Sequence, residues 1–298
     1  MMSRPRLATL VLCLATLVSA PLASGCRRTA PAEAPVATPS LRVNHPRAAA
    51  GSPIELTYTF VVASDAKLPG DYRVMLHVVD TDEELMWTDD HNPPKPTSAW
   101  KPGETVEYTR TIFVPVFPYV GNATLQVGLY STADQRRLPL AGEDVGQRAY
   151  KVGTIDLLPQ TESILTMYKD GWHPAETAGP NAMVEWQWTK KDATLAFKNP
   201  RKDSLFYLEL DSPISELHGP QQVQVKLGGQ ALDQFTLVPN EVQLRRIKLP
   251  AAQLGAGDMA ELQISVDPTF VPATVNPSIS KDPRELGVRV FHAYVDPR

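Results

Sequence analysis

Apolar residues recur at every second position in a succession of short runs. This period of two constrains the fold more than any other feature of the chain. In "YRVMLHVVD", Tyr72, Val74, Leu76 and Val78 share a face, and in "IELTYTFVV" so do Ile54, Leu56, Tyr58 and Phe60. "TVEYTRTIFV" sets Val106, Tyr108, Ile112 and Val114 against Glu107, Thr109 and Thr111, and "TLQVGLY" alternates Leu125, Val127 and Leu129 with Thr124 and Gln126. Successive strand side chains point to opposite faces of a sheet, so each run reads as a strand with one buried side. The runs are short, long helical patterns are missing, and 28 prolines punctuate the chain. The expected class is all-β, built as antiparallel sandwiches.

The runs fall into two sets. The first spans 41–157 and predicts an immunoglobulin-like sandwich. The second, 160–298, opens with "MVEWQWT", where Val184, Trp186 and Trp188 alternate with Glu185 and Gln187, and continues through "ATLAFKN", "SLFYLELD", "QQVQVKL", "VQLRRIKL", "AELQISVD" and "LGVRVFHAYV". "LGGQ", Leu227–Gln230, reads as a two-glycine hairpin turn. This second sandwich is expected to be jelly-roll-like.

The N-terminus carries a different signal. Arg4 and Arg6 precede an apolar run from Leu7 to Ala20, followed by "PLASGC". Those are the three parts of a secretory leader, and the run falls short of the roughly 20 residues a membrane-spanning helix needs. "ASGC" resembles the lipobox of bacterial lipoproteins, with Ala23 where that pattern usually has Leu. The resemblance implies a signal peptide at 1–25, cleavage before Cys26, and a Cys26 that becomes the acylated anchor to the lipid bilayer. The only other cysteine, Cys13, leaves with the leader, so neither a disulfide framework nor a cysteine zinc site is expected. Residues 26–40, proline- and alanine-rich, read as a tether. Arg27 stands where inner-membrane lipoproteins of this kind carry Asp, which favours the outer membrane, facing the periplasm or the cell surface. Residues 1–25 hold two arginines and no acid, so the mature chain is near −6 where the whole is −4. That sign excludes a nucleic-acid binder.

Two further resemblances concern the sandwiches. "VMLHVVD" (74–80), "DDHNPP" (89–94), "TSAWKPGE" (97–104) and "VGLYSTADQRRLPL" (127–140) resemble a β-sandwich module of bacterial envelope proteins, also found fused to membrane glycosyltransferases. The chain departs from it at Tyr119-Val120-Gly121, where a Pro-Gly step is usual. "GWHPAE" (171–176), "WQWTKKDATLAFKNP" (186–200), "FVPA" (270–273) and "DPRELGVRV" (282–290) resemble a jelly-roll module that travels with bacterial polysaccharide glycosyltransferases. Together they imply a glycan-associated accessory role and bring no catalytic set.

The most chemically suggestive stretch is "WTDDHNPPKPTSAW", Trp87 to Trp100. With the preceding strand it gathers His77, Asp80, Asp89, Asp90 and His91. A zinc site needs three or four such groups converging on one point. Alternation puts His77 and Asp80 on opposite sides of their strand, and the regular spacing of a calcium loop is missing. The architectural reading is favoured: Asp89, Asp90 and Asn92 cap the backbone, and His77 or His91 donates to a carboxylate. Contact with a ligand stays open for His77, Asp89, Asp90 and His91. No metal, cofactor or catalytic residue is assigned. Glu83 and Glu84 sit together in a turn, and G-x-S-x-G, H-E-x-x-H, a P-loop and a dinucleotide fingerprint are all missing.

Sugar binding asks for an aromatic face and a few planar polar groups. Trp186 and Trp188 share a strand face and could form a platform, but Val184 on the same face favours their facing the core. Trp87 and Trp100 flank the Asp/His loop and are expected to be partly exposed. Trp172 lies in a loop with His173 and Glu176. Trp100 and Trp172 are the first candidates. "NAT" (122–124) matches a glycosylation acceptor by chance. The favoured reading is a non-catalytic envelope lipoprotein that binds glycan or assists polysaccharide biology. The alternatives are an adaptor for an envelope protein partner and a metal-dependent or hydrolytic enzyme.

Overall fold

A computed structural model describes residues 33–116, 119–179, 184–212 and 220–298. The leader and Cys26 lie outside the described residues. Within them the alternating runs become strands.

In the first sandwich these are β1 (Ala37–Val43), β2 (Arg47–Ala49), β3 (Pro53–Val62), β4 (Arg73–Val79), β5 (Leu85–Thr88), β6 (Thr105–Phe113), β7 (Gly121–Tyr130), β8 (Glu143–Asp144) and β9 (Tyr150–Leu158). One sheet runs β1-β3-β6 and the facing sheet β2-β9-β7-β4-β5, with β8 added to β9. Every pairing is antiparallel except β2 with β9. Ile54, Leu56, Tyr58 and Phe60 of β3 meet Val74, Leu76 and Val78 of β4 and Leu125, Val127 and Leu129 of β7 in one core. Burying each such side chain stabilises by about 1.5–3 kcal/mol.

The expected tether is too long. β1 begins at Ala37, inside the 26–40 segment, and pairs Pro39 with Phe60. Pro39 is tolerated because β1 is an edge strand and needs no ladder hydrogen bond on its open side. Its Pro/Ala composition masked the strand.

The second sandwich contains β10 (Thr166–Tyr168), β11 (Glu176–Ala178), β12 (Val184–Trp188), β13 (Asp192–Lys198), β14 (Ser204–Asp211), β15 (Gln222–Leu227), β16 (Gln230–Thr236), β17 (Gln243–Leu249), β18 (Met259–Asp267) and β19 (Arg289–Pro297). The sheets are β10-β13-β18-β15-β16 and β11-β12-β19-β14-β17. Phe197, Phe206, Leu208, Val223, Val225, Leu262 and Ile264 fill a core separate from the first. Gly228 and Gly229, at φ +56° and +81°, turn β15 into β16 as a two-residue hairpin. Gly171 is required by crowding: a Cβ there would stand 1.8 Å from the Asp192 carbonyl oxygen.

Ala34–Arg298 forms one compact unit, so the two sandwiches are held together. The connection is a single 3-10 turn, Gln160–Glu162, followed by a bridge from Ile164 to Val295. Phe113 of β6 stacks on His292 of β19 with ring centres 3.9 Å apart. Arg246 of β17 pairs with Glu55 of β3 at 3.0 Å and donates to the Thr111 hydroxyl. The described helices, Ala251–Leu254 and Pro272–Val275, are single turns, and no described helix is long and apolar enough to cross a membrane.

Candidate functional site

The Asp/His stretch continues β5 along the outer edge of β4. Asp89 N–H donates to the Leu76 carbonyl, and His91 and Val74 exchange both backbone bonds. Between them the ladder is irregular. The Leu76 N–H bonds the Asp90 carboxylate at 3.2 Å, and the Asp89 carbonyl accepts from His91 Nδ1 at 2.8 Å. The register with β4 is kept, so strand alternation sends Asp89 and His91 to one face and Asp90 to the other.

Asp89 and His91 point inward to the seam between the two sheets. Arg110 of β6 donates to both Asp89 oxygens, at 2.8 and 2.9 Å. A carbonyl can only accept, so His91 carries its proton on Nδ1, and Tyr108 O–H donates to Nε2 at 2.8 Å. Tyr58 stacks on Tyr108, and both rings meet His91 edge-on. Burial first, then the Asp89 charge, pushes the Tyr58 hydroxyl far above its ordinary range. Burial also holds His91 below its usual pKa, against the opposing pull of its bond to Asp89. Every polar group here has a partner within the sandwich, and the cluster ties the open edge of one sheet to the other.

His77 and Asp90 go to the outer face of the same sheet. Arg73 donates to the Asp90 carbonyl at 2.5 Å. His77 is held low mainly by burial, with Asp90 opposing and Arg137 adding to it. Asp80 caps its own turn, accepting from the N–H groups of Asp82 and Glu84. The five groups therefore separate, and among the described residues no three His, Cys, Asp or Glu converge as a metal site would require.

The tryptophans correct one expectation. Trp100 is 5% exposed: its indole N–H donates to the Lys95 carbonyl and its ring leans on Phe60. It anchors the proline-rich crossing to the core and offers no open face. Trp172 is half-buried, donates to the Thr194 carbonyl at 2.8 Å and meets Tyr168 edge-on. Its neighbours are also engaged, His173 with the Glu285 carbonyl and Glu176 with Arg284. Trp87 is half-buried against the first core.

The outer face of the β11-β12-β19-β14-β17 sheet is different. Trp186 and Trp188 lie on it, opposite the face that builds the main core, because Trp188 pairs with Arg289 and Arg289 with Asp211. Trp188 is buried against Phe270 and Leu286, with Trp186 packed beside that small cluster. Arg289 is gripped at both nitrogens by Asp211, at 2.5 and 2.8 Å. Its guanidinium plane lies over Trp186 at 5.2 Å, Trp188 at 5.9 Å and Phe291 at 5.4 Å. Asp211 is buried, whereas Trp186, Arg289 and Phe291 are each partly exposed, the Arg289 side chain at 25%. The Trp186 indole N–H is buried and has no partner, so the ring face and not its N–H is what the surface offers. The result is a fixed aromatic platform with a charge at its centre, the composition that sugar C–H faces and hydroxyls require.

Two of these residues, Arg289 and Asp211, were missed in the sequence, and so was Arg110. The signal was present for Arg110: it shares the period-two face of Val106, Tyr108 and Ile112, and a charge on a core face calls for a partner.

No family model matches the chain, and no curated protein matches it. Among solved structures, it is similar to a family GH115 4-O-methyl-α-glucuronidase with specificity for decorated arabinogalactans, at TM-score 0.31 and 16% identity, over 46% of this chain and 18% of that one. The CBM51-2 and INT domains of Clostridium perfringens ZmpB give TM-score 0.26 and 7% identity, over 60% of this chain and 38% of that one. Carbohydrate-binding modules of the β-sandwich superfamily give TM-score 0.25 and 8% identity, over 87% and 98%. At this level of likeness nothing is transferred to this chain. Its fold rests on its own strand pairing.

Proposed function

We propose that this chain is a non-catalytic glycan-binding lipoprotein of the bacterial cell envelope, assisting polysaccharide biology. Anchoring is through an acylated Cys26, and the outer membrane is the favoured location. The observation that carries the binding reading is the partly exposed platform of Trp186, Phe291 and Arg289, with Arg289 held by Asp211. Preorganised aromatics cost little entropy on binding, and a hydrogen-bonded guanidinium presents its remaining N–H groups to hydroxyls. The leader, the lipobox-like "ASGC" and the module resemblances support the envelope setting.

Affinity electrophoresis of the chain in gels containing the cell's own envelope polysaccharide tests the binding. Retardation that is lost in Trp186→Ala is expected, and free migration of the unaltered chain would contradict the reading. Labelling with a radioactive fatty acid, lost in Cys26→Ala, tests the anchor separately.

A further inference from the structure

Phe291 belongs to two surfaces. On one side its ring meets Trp186 edge-on, with centres 6.4 Å apart. On the other it lines a cleft of about 250 Å³ between the two sandwiches. The cause is a register shift in β19. Val290 pairs with Leu210 and His292 with Glu209, leaving Phe291 as an extra residue between them. An extra residue bends its strand and re-aims a side chain. Here it sets Phe291 and His292 side by side, and both line the cleft.

The cleft is built by both sandwiches and the turn joining them: Gly51 and Val116 on one side, Gln160 in the turn, and Tyr168, Phe291 and Tyr294 on the other. Its lining contains no Asp, Glu, Lys or Arg. It offers aromatic rings, hydroxyls, an amide and the His292 imidazole, whose Nδ1 is bonded to Glu209 outside the lining. Gly51 has φ +81°, and a Cβ on it would come 3.8 Å from the Gln160 amide nitrogen, so a larger residue would narrow the cleft. The stack of Phe113 on His292 and the Arg246–Glu55 pair fix the two walls against each other. Clefts at the junction of two domains are favoured places for ligands.

We infer that the binding surface runs from the Trp186 platform across Phe291 into this cleft, so that the ligand is a chain of several sugars with an uncharged stretch, held by both sandwiches at once. The inference rests on the glycan reading of the platform. It goes further in requiring length, and in giving the first sandwich a direct part in binding.

The test uses size-graded oligosaccharides from partial acid hydrolysis of the same cell's envelope polysaccharide, titrated calorimetrically into the full chain. Dissociation constants should fall at least tenfold from the shortest fragments to the longest. Trp186→Ala should weaken every length. Val116→Arg, which crowds the cleft mouth from a residue 69% exposed, and Gln160→Ala should remove only the gain with length. Thermal midpoints close to the parent's would show that these surface changes leave the fold intact. Equal affinity at all lengths, or a length gain untouched by both cleft variants, would overturn the extended site while leaving the platform standing. If no fragment of any length binds the parent chain, the glycan reading itself fails, and the inference with it.

Discussion

The Asp89–His91 knot of the first sandwich and the Arg289–Asp211 face of the second use the same chemistry. Each has a carboxylate gripping a guanidinium at two points, with aromatic rings around it. They differ in direction. Asp89, Arg110, His91 and Tyr108 point into a seam between sheets and satisfy one another. The guanidiniums do not make the difference, since the Arg110 side chain is 35% exposed and that of Arg289 25%. The rings do, because Tyr58 and His91 are buried while Trp186 and Phe291 are partly exposed above a buried Asp211. A polar aromatic cluster becomes a site when its partners fix it from below and leave a face free. Where the rings themselves are buried, as Tyr58 and His91 are, it is a fastening.

That contrast predicts four results. The largest effect is expected at Arg289→Ala. It strips the partner from Asp211, whose side chain is 4% exposed, and an unpaired buried carboxylate costs about 3–5 kcal/mol. Urea unfolding should show the loss, and Asp211→Asn in the same background should recover part of it. Next is Asp89→Ala, which leaves Arg110 and the Tyr58 hydroxyl without their carboxylate acceptor, while His91 keeps its bond to the backbone carbonyl of residue 89. Bonds to charged groups are worth about 1.5–3 kcal/mol, so stability should drop by about 2 kcal/mol while glycan retardation is unchanged.

Third, Trp186→Ala should weaken glycan binding at least tenfold, or about 1.4 kcal/mol, with a smaller change in unfolding midpoint than Asp89→Ala causes. The two variants thus separate binding from stability in opposite directions. The smallest effect is a pH dependence. His91 and His77 titrate lower in the folded chain than their ordinary value of 6.5. The unfolded chain therefore takes up protons first as pH falls. Their contribution is fully present above pH 6.5 and is lost progressively as pH falls below it, toward the folded-state values. Urea midpoints measured from pH 7.5 down to 5 should decline, and His91→Gln should flatten the decline.

Much of the fold was legible because a period of two survives any loop. The β3, β4 and β7 faces, the Gly228-Gly229 turn and the second set of strands all follow from alternation and turn chemistry. Pro39 shows one limit: composition suggested a tether where an edge strand lies, because edge strands tolerate the missing N–H. The site was harder to read. Five titratable groups from one strand and the loop after it were split between two faces by strand alternation, so proximity in the chain misled. Trp186 and Trp188 do share a face, but Val184 wrongly suggested that this face turns to the main core; it is the outer face and Val184 is 47% exposed, because alternation alone does not say which face of a two-sided sheet is covered. The β19 register shift that sets Phe291 beside His292 leaves no mark in the residue pattern. Arg289 and Asp211 lie 78 residues apart, joined only by strand pairing.

The most direct test of the central claim is one titration series: the same envelope polysaccharide fragment into the parent chain, Trp186→Ala and Asp89→Ala, each checked as folded at the temperature used. The account predicts that Trp186→Ala loses at least a factor of ten in affinity and that Asp89→Ala, though less stable, binds as the parent does. Undiminished binding by Trp186→Ala, with loss confined to Asp89→Ala, would contradict it and place the ligand on the first sandwich.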